Sequence, residues 1–143
     1  MYNLDLSACT TTAGSTTVVD STVTILAEKA GKKIENKTTY LQMTGGAASS
    51  TENERYGLLL TLTGTAKITA QATTKTDGKT LRLINTSTST STDATTTMSS
   101  SGTASTDAND AVEISFENVT EGTYIFGSSS GGCNLFSLKI EYQ

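Results

Sequence analysis

The chain has 143 residues, with 14 Asp and Glu against 10 Lys and Arg and no His, Trp or Pro. That length suits one domain with a real core and is too short for two comfortable ones. A net charge of −4 argues against non-specific binding to nucleic acid or to an anionic membrane, whose binders carry a basic excess. No apolar run approaches the roughly 20 residues of a membrane span, so a soluble chain is expected. Ser and Thr make up about a third of the residues, the composition of a Thr-rich β protein.

Residues 2–6 alternate Tyr2, Leu4 and Leu6 against Asn3 and Asp5, which predicts a first strand. This opening lacks a basic segment followed by an apolar one, so no signal peptide is expected and the chain reads as an excised module. A polar turn at 10–17 around Gly14 leads to Val18 and Val19 and to a strand at 22–26. Residues 27–31 (AEKAG) read as a loop, because Gly31 ends the one helical turn they would allow. Strands follow at 33–35 and 39–44, with Leu41 and Met43 inward and Tyr40 and Gln42 outward. Residues 45–54 form the longest early break.

Strands at 56–63 (YGLLLTLT) and 66–72 (AKITAQA) are joined by Gly64 and Thr65, which predicts a tight hairpin. A turn at 75–79 with an Asp77-Gly78 pair precedes a strand at 80–84, with Leu81 and Leu83 inward and Arg82 outward. Residues 85–110 hold almost no apolar side chains and cannot supply core by themselves. Thr favours strands, so this stretch predicts a solvent-facing hairpin with Asp93 and Ala94 near its tip. At 112–117, Val112, Ile114 and Phe116 face inward against Glu113, Ser115 and Glu117.

The final stretch, EGTYIFGSSSGGCNLFSLKIEYQ at 121–143, sets two apolar runs around a Gly/Ser connection and predicts a closing hairpin. Tyr124 and Phe126 share its inner face, and Phe136, Leu138, Ile140 and Tyr142 alternate inward on its last strand. About ten short strands and no helix predict an all-β fold, a two-sheet antiparallel β-sandwich of jelly-roll-like form. It spans residues 1–143 as one domain, with a Thr/Ser-rich insertion at 85–110.

Cys9 follows the first strand and Cys133 precedes the last. If the terminal strands pair antiparallel, the two sit side by side. They are then either a disulfide closing a loop of about 125 residues, worth roughly 4–5 kcal/mol through the unfolded state, or two buried thiols in contact.

The lack of His removes Ser-His-Asp chemistry and most metal hydrolases, and two separate Cys cannot build a zinc site. No phosphate loop, dinucleotide fingerprint or EF-hand pattern is present. A glycosidase needs only two facing carboxylates, yet Asp110, Glu113, Glu117 and Glu141 fall at turns or outward positions. No catalytic residues are expected. A structural calcium near the paired termini would draw on Asn3, Asp5 and Glu141; otherwise these are outward polar positions. Sequons begin at Asn36, Asn85 and Asn118, as chance allows in a chain so rich in Ser and Thr.

DLS at 5–7, RY at 55–56, GKTLRL at 78–83 and GTYIFGSSSGGCNLF at 122–136 occur in an order that resembles the β-sandwich modules appended to bacterial pectate lyases. Those modules include pectin-binding carbohydrate-binding modules of gut and rumen Firmicutes. The resemblance implies a polysaccharide ligand, an extracellular or cell-surface location, and ligand contacts at Arg55 and Lys79, where the family commonly has a basic residue. Cys9 and Cys133 stand where the family pattern has apolar core residues, which implies that they touch. The insertion from Asn85 departs from the pattern and would remodel or cover a binding face.

A binder of polygalacturonate needs Lys or Arg for the sugar carboxylates, and Arg55, Lys67, Lys75, Lys79 and Arg82 fall in the central part of the chain. Tyr40 and Tyr56 are the surface candidates for stacking on a sugar ring. The expected function is a non-catalytic carbohydrate-binding module for plant cell-wall polysaccharide, foremost pectin. Arg55, Lys75, Lys79 and Arg82 would grip uronates and Tyr56 would pack on a ring. The module would be a monomer within a multimodular parent, with no nucleic-acid or membrane partner. The alternative is a structural or adhesive module without a glycan site, favoured by the Thr-rich surface, the few aromatics and the acidic balance. An outward Thr array at 86–97 raises an ice- or crystal-facing surface as a third reading.

Overall fold

Apolar residues alternate with Thr, Ser or charge over short runs broken at Gly, Asn and Asp, so each run folds as a strand with one face to bury. The computed structural model describes residues 1–99 and 105–143. Its early strands are β1 (Tyr2–Asn3), β2 (Thr12–Ala13), β3 (Ser15–Val18), β4 (Val23–Ala27), β5 (Lys33–Asn36) and β6 (Leu41–Met43). Then come β7 (Tyr56–Leu62), β8 (Ala66–Thr74), β9 (Leu81–Asn85), β10 (Ser91–Asp93), β11 (Val112–Val119), β12 (Gly122–Ser128) and β13 (Cys133–Tyr142). Among the described residues the helical segments are two 3-10 turns, at Leu6–Ala8 and Ala108–Asp110.

The strands form two antiparallel sheets packed as a β-sandwich. One has seven strands in the order β11-β8-β13-β6-β5-β2, with β1 also on β13, and the other has six in the order β10-β9-β12-β7-β4-β3. From β6 onward the first strand pairs with the last: β6 with β13, β7 with β12, β8 with β11 and β9 with β10. This is a long hairpin, tipped between Asn85 and Ser91, rolled so that successive strand pairs lie in opposite sheets. The winding is that of a jelly roll.

Two expected hairpins are therefore absent. β7 lies in the six-stranded sheet and β8 in the seven-stranded one, and β12 and β13 are divided in the same way. Gly64 keeps a negative φ, whereas a two-residue hairpin turn needs positive φ at a central residue. The connection crosses between layers instead, placing consecutive apolar runs face to face, so that Leu58 and Leu60 share one core with Ile68 and Ala70. Alternation is the same whether neighbouring runs lie side by side or face to face. The polar turn expected at 10–17 is in fact β2 and β3, hinged at Gly14 with φ +58°.

The inter-sheet core is centred on Phe126, Ile25, Leu58, Leu60, Ile68 and Ile114, all buried, with Phe116 edge-on to Phe126 at 6.5 Å. A register shift between Leu135 and Ser137 breaks the alternation of β13. Leu135 and Leu138 both enter that core, while Phe136 lies outside it, with its ring tilted against Tyr40 at 5.3 Å. Tyr142 is 40% exposed, its hydroxyl accepting from the Thr63 N–H at 3.3 Å.

Within the insertion, β9 and β10 make the solvent-facing hairpin, but its tip is at residues 86–90. Asp93 lies back along β10, opposite Arg82, and Ala94 N donates to Leu81 O. Met98 is buried in the core, so this stretch does contribute to it. Residues 100–104 of the insertion lie outside the described residues.

Cys9 and Cys133 are both buried and both free, so no disulfide joins them. Tyr2 opposes Ile140, Asn3 opposes Lys139, and Leu4 N donates to Leu138 O. Continued without a break, that register would set Cys9 against Cys133. The chain leaves β13 at Asp5 instead, whose carboxylate accepts from the Ser7 N–H and hydroxyl and starts a 3-10 turn. β6 holds the same edge of β13 from Leu135 to Cys133.

Burial pushes the Cys9 thiol up to about 11 and the Cys133 thiol up to about 12. The native protein should therefore resist a thiol reagent at pH 8 and release two thiols only in denaturant, with an intact mass unchanged by prior reduction. An unfolded thiol loses its proton near 9.0, before the folded ones, so stability should fall as the pH rises from about 9 towards 11–12.

Gly57 sits in β7 with φ +132°, and a Cβ there would lie 2.5 Å from Phe126 O. Gly57→Ala should cost at least about 2 kcal/mol, read as a fall in Tm of roughly 5 °C; an unchanged melting curve would contradict this packing.

Candidate functional site

β10 and β11 are edge strands, one in each sheet, on the side opposite the β3 and β2 edges. Between them opens a cleft of about 450 Å³, lined by residues of β9, β10, β11 and β12. Its floor is apolar and aromatic, formed by Leu83, Phe116, Val119 and Tyr124 at the margin of the core. The cleft exists because β10 brings no apolar side chain to the inner face. Thr92 stands opposite Leu83, and Thr90, whose carbonyl accepts from Asn85 N at 2.9 Å, stands where a buried residue would close the sandwich.

The opposite wall is a bulge in β11. The register shifts between Phe116 and Val119, and Asn118 adopts φ +51°; an extra residue of this kind bends an edge strand and re-aims its side chains. Tyr124 anchors the bulge by donating its hydroxyl hydrogen to Thr120 O at 3.0 Å, with Thr120 Oγ1 also at 3.0 Å. An apolar floor rimmed by hydroxyl and amide groups, in a volume of this size, is the usual form of a small-ligand site.

Of the basic residues singled out in the sequence, Arg55, Lys67, Lys79 and Arg82 each take a different partner. Arg55 makes a two-pronged pair with Glu28, Nε to Oε1 at 3.0 Å and Nη2 to Oε2 at 2.9 Å, and that contact holds the Glu28 carboxyl below its usual range. Arg82 grips Asp93 in the same way at 2.5 and 3.0 Å, lowering the Asp93 carboxyl. Residues 48–49 wedge between β7 and β12 and separate the two arginines: Ala48 N donates to Ser128 O, and Ser49 and Tyr56 exchange both backbone bonds. Lys79 donates to Ser130 Oγ at 3.2 Å, and Lys75 is exposed in the connection from β8 to β9. Lys67 pairs with Glu117 at 3.3 Å.

Tyr56 is buried, which corrects its expected role as a stacking surface. Its hydroxyl donates to Lys33 O at 2.6 Å and accepts from Gly45 N at 2.7 Å, and burial pushes its pKa well above the usual tyrosine value. Tyr40 is half-buried, its ring against Phe136. Asn3 Nδ2 donates to Met1 Sδ, Asp5 caps its turn, and Glu141 pairs with Lys139 at 2.6 Å. Among the described residues no group of three or more Asp, Glu, His or Cys is placed to hold a metal ion.

Reasoning from charge overlooked Asn85, Thr90, Thr92, Asn118 and Thr120. The usable signal was the failure of the insertion to supply apolar residues, since a strand that cannot close the core leaves it open. Among the sequons, Asn36 is held by its own side chain, with Nδ2 donating to Leu6 O at 2.9 Å and Cys9 O at 2.6 Å.

Tyr56→Phe should cost about 1–3 kcal/mol, because it strands a carbonyl and an N–H. Arg55→Ala should cost about 1 kcal/mol or less, its ion pair being partly exposed. Urea denaturation compares them; the reverse order would contradict the structural role given to Tyr56. No protein-family model matches this chain, and no curated protein matches it.

Proposed function

We propose that this chain is a non-catalytic carbohydrate-binding module for plant cell-wall polysaccharide, carried by a secreted multimodular parent. The observation that carries this reading is the edge cleft, with aromatic and aliphatic residues on its floor and hydroxyl and amide groups on its rim. Sugars present the same pairing of an apolar ring face with a ring of hydroxyls. The resemblance of the motif order to pectate-lyase modules, and the jelly-roll winding, support the same class.

Binding without catalysis is supported by the state of the cleft carboxylates. A glycosidase acid must stay protonated near neutrality, which requires a raised pKa. Asp93 is held below its ordinary value by Arg82, and Glu117 is exposed and paired with Lys67. A second reading, a structural or adhesive module, is favoured by the burial of Tyr56 and the pairing of both Arg55 and Arg82.

Affinity gel electrophoresis against pectins, xylans, mannans and β-glucans separates the two. At least one polysaccharide should retard the protein, EDTA should not change the retardation, and no reducing ends should be released. Free migration in every gel would leave the structural module as the better account; release of reducing ends would make the chain an enzyme.

A further inference from the structure

The charged residues that line the cleft are both acidic, Asp93 and Glu117, and each is engaged by a cation. Asp93 stands opposite Arg82 in the ladder and is gripped by both guanidinium prongs. Arg82 alternates with Leu81 and Leu83, which enter the core, so this pair lies on the outer face of its sheet. Glu117 is drawn to Lys67, which alternates with the buried Ala66 and Ile68 and so lies on the outer face of the other sheet. No Lys or Arg is among the lining residues. What faces the cleft from β9 and β10 is Leu83, Thr90 and Thr92, with Phe116 and Tyr124 beyond them.

A carboxylate entering this space would lose water without gaining a cation, and an ion desolvated without a partner is costly. A neutral hydroxyl would exchange water for Thr and Asn groups at little net cost. Building on the carbohydrate-binding reading, we infer that the cleft takes an uncharged saccharide and discriminates against uronates. The sugar directs hydroxyls to Thr90, Thr92 and Asn118 on the cleft walls, above a floor where Leu83, Phe116 and Tyr124 are largely buried and show only their margins. Affinity at this site is insensitive to salt, because no ion pair forms.

The test is a ¹⁵N-HSQC titration of the whole chain with neutral oligosaccharides (xylo-, manno-, gluco- and galacto-) and with oligogalacturonates, at low and high salt. It is repeated on Thr92→Trp, which fills the cleft from an exposed strand position, and on Lys75→Ala/Lys79→Ala, with circular dichroism confirming each fold. A neutral oligosaccharide should shift the amides of Thr92, Phe116, Asn118 and Tyr124. Thr92→Trp should weaken it by roughly tenfold or more, and the lysine variant by less than about twofold.

Oligogalacturonate binding that weakens with salt and is lost in the lysine variant would overturn the inference while leaving the carbohydrate-binding reading in place. Neutral-sugar binding unaffected by Thr92→Trp would likewise move the site elsewhere. Absence of binding by every saccharide would overturn the carbohydrate-binding reading itself.

Discussion

β13, ten residues long, takes partners on both of its edges. β8 follows one edge from Cys133 to Tyr142, and the other is divided between β6, at Cys133 to Leu135, and β1, at Lys139 and Ile140. This two-sided pairing joins the end of the chain to its beginning and to its middle. Once β13 is central, β11 can add only beyond β8, and β5 and β2 only beyond β6. The inner face of β13, with Leu135, Leu138 and Ile140, then supplies the floor on which β7 and β12 pack. The same division of one edge between two strands makes Met43, not Cys9, the ladder partner of Cys133.

The opposite side of the molecule is set by what β10 lacks. β8 and β11 run long, while β10 has three exposed residues and no apolar side chain to offer. The sandwich closes again only where Met98 enters the core and its N–H bonds to Lys79 O at 2.8 Å. Between those points lies the cleft. Its electrostatics follow from the outer faces, where Arg82 and Lys67 neutralise the two nearest carboxylates and Arg55 is held by Glu28. The charged residues that line the cleft, Asp93 and Glu117, are acidic like the balance of the chain.

Much of the strand content was legible because a period of two is a local signal. Leu41 and Met43, Leu81 and Leu83, and Ile114 and Phe116 face inward as their alternation implies. What alternation does not carry is the partner of each strand. Gly64 and Thr65 look like a hairpin turn until the non-local demands of β12 on β7 and of β13 on β8 are counted. Tyr56 reads as a surface residue in the sequence because it opens a strand beside Arg55, yet two backbone partners from residues 33 and 45 draw its hydroxyl inside. Charge in sequence was a poor guide to a site, since each arginine met its carboxylate through tertiary contacts.

The rolled hairpin also sets an order of assembly. β9 and β10 are joined by one short turn, with Asn85 Oδ1 accepting from Ser87 N and Asn85 O accepting from Ser89 N. Each later pair, β8 with β11, then β7 with β12, then β6 with β13, encloses all the pairs before it. Closing a loop costs entropy that grows with its length, so pairing that starts at the turn and zips outward avoids the largest penalties until earlier contacts offset them. Folding dominated by such distant pairings belongs to the slow regime, on the order of milliseconds to seconds. On this route the walls of the cleft, drawn from β9 to β12, are assembled before the N-terminal strand finds its place on β13.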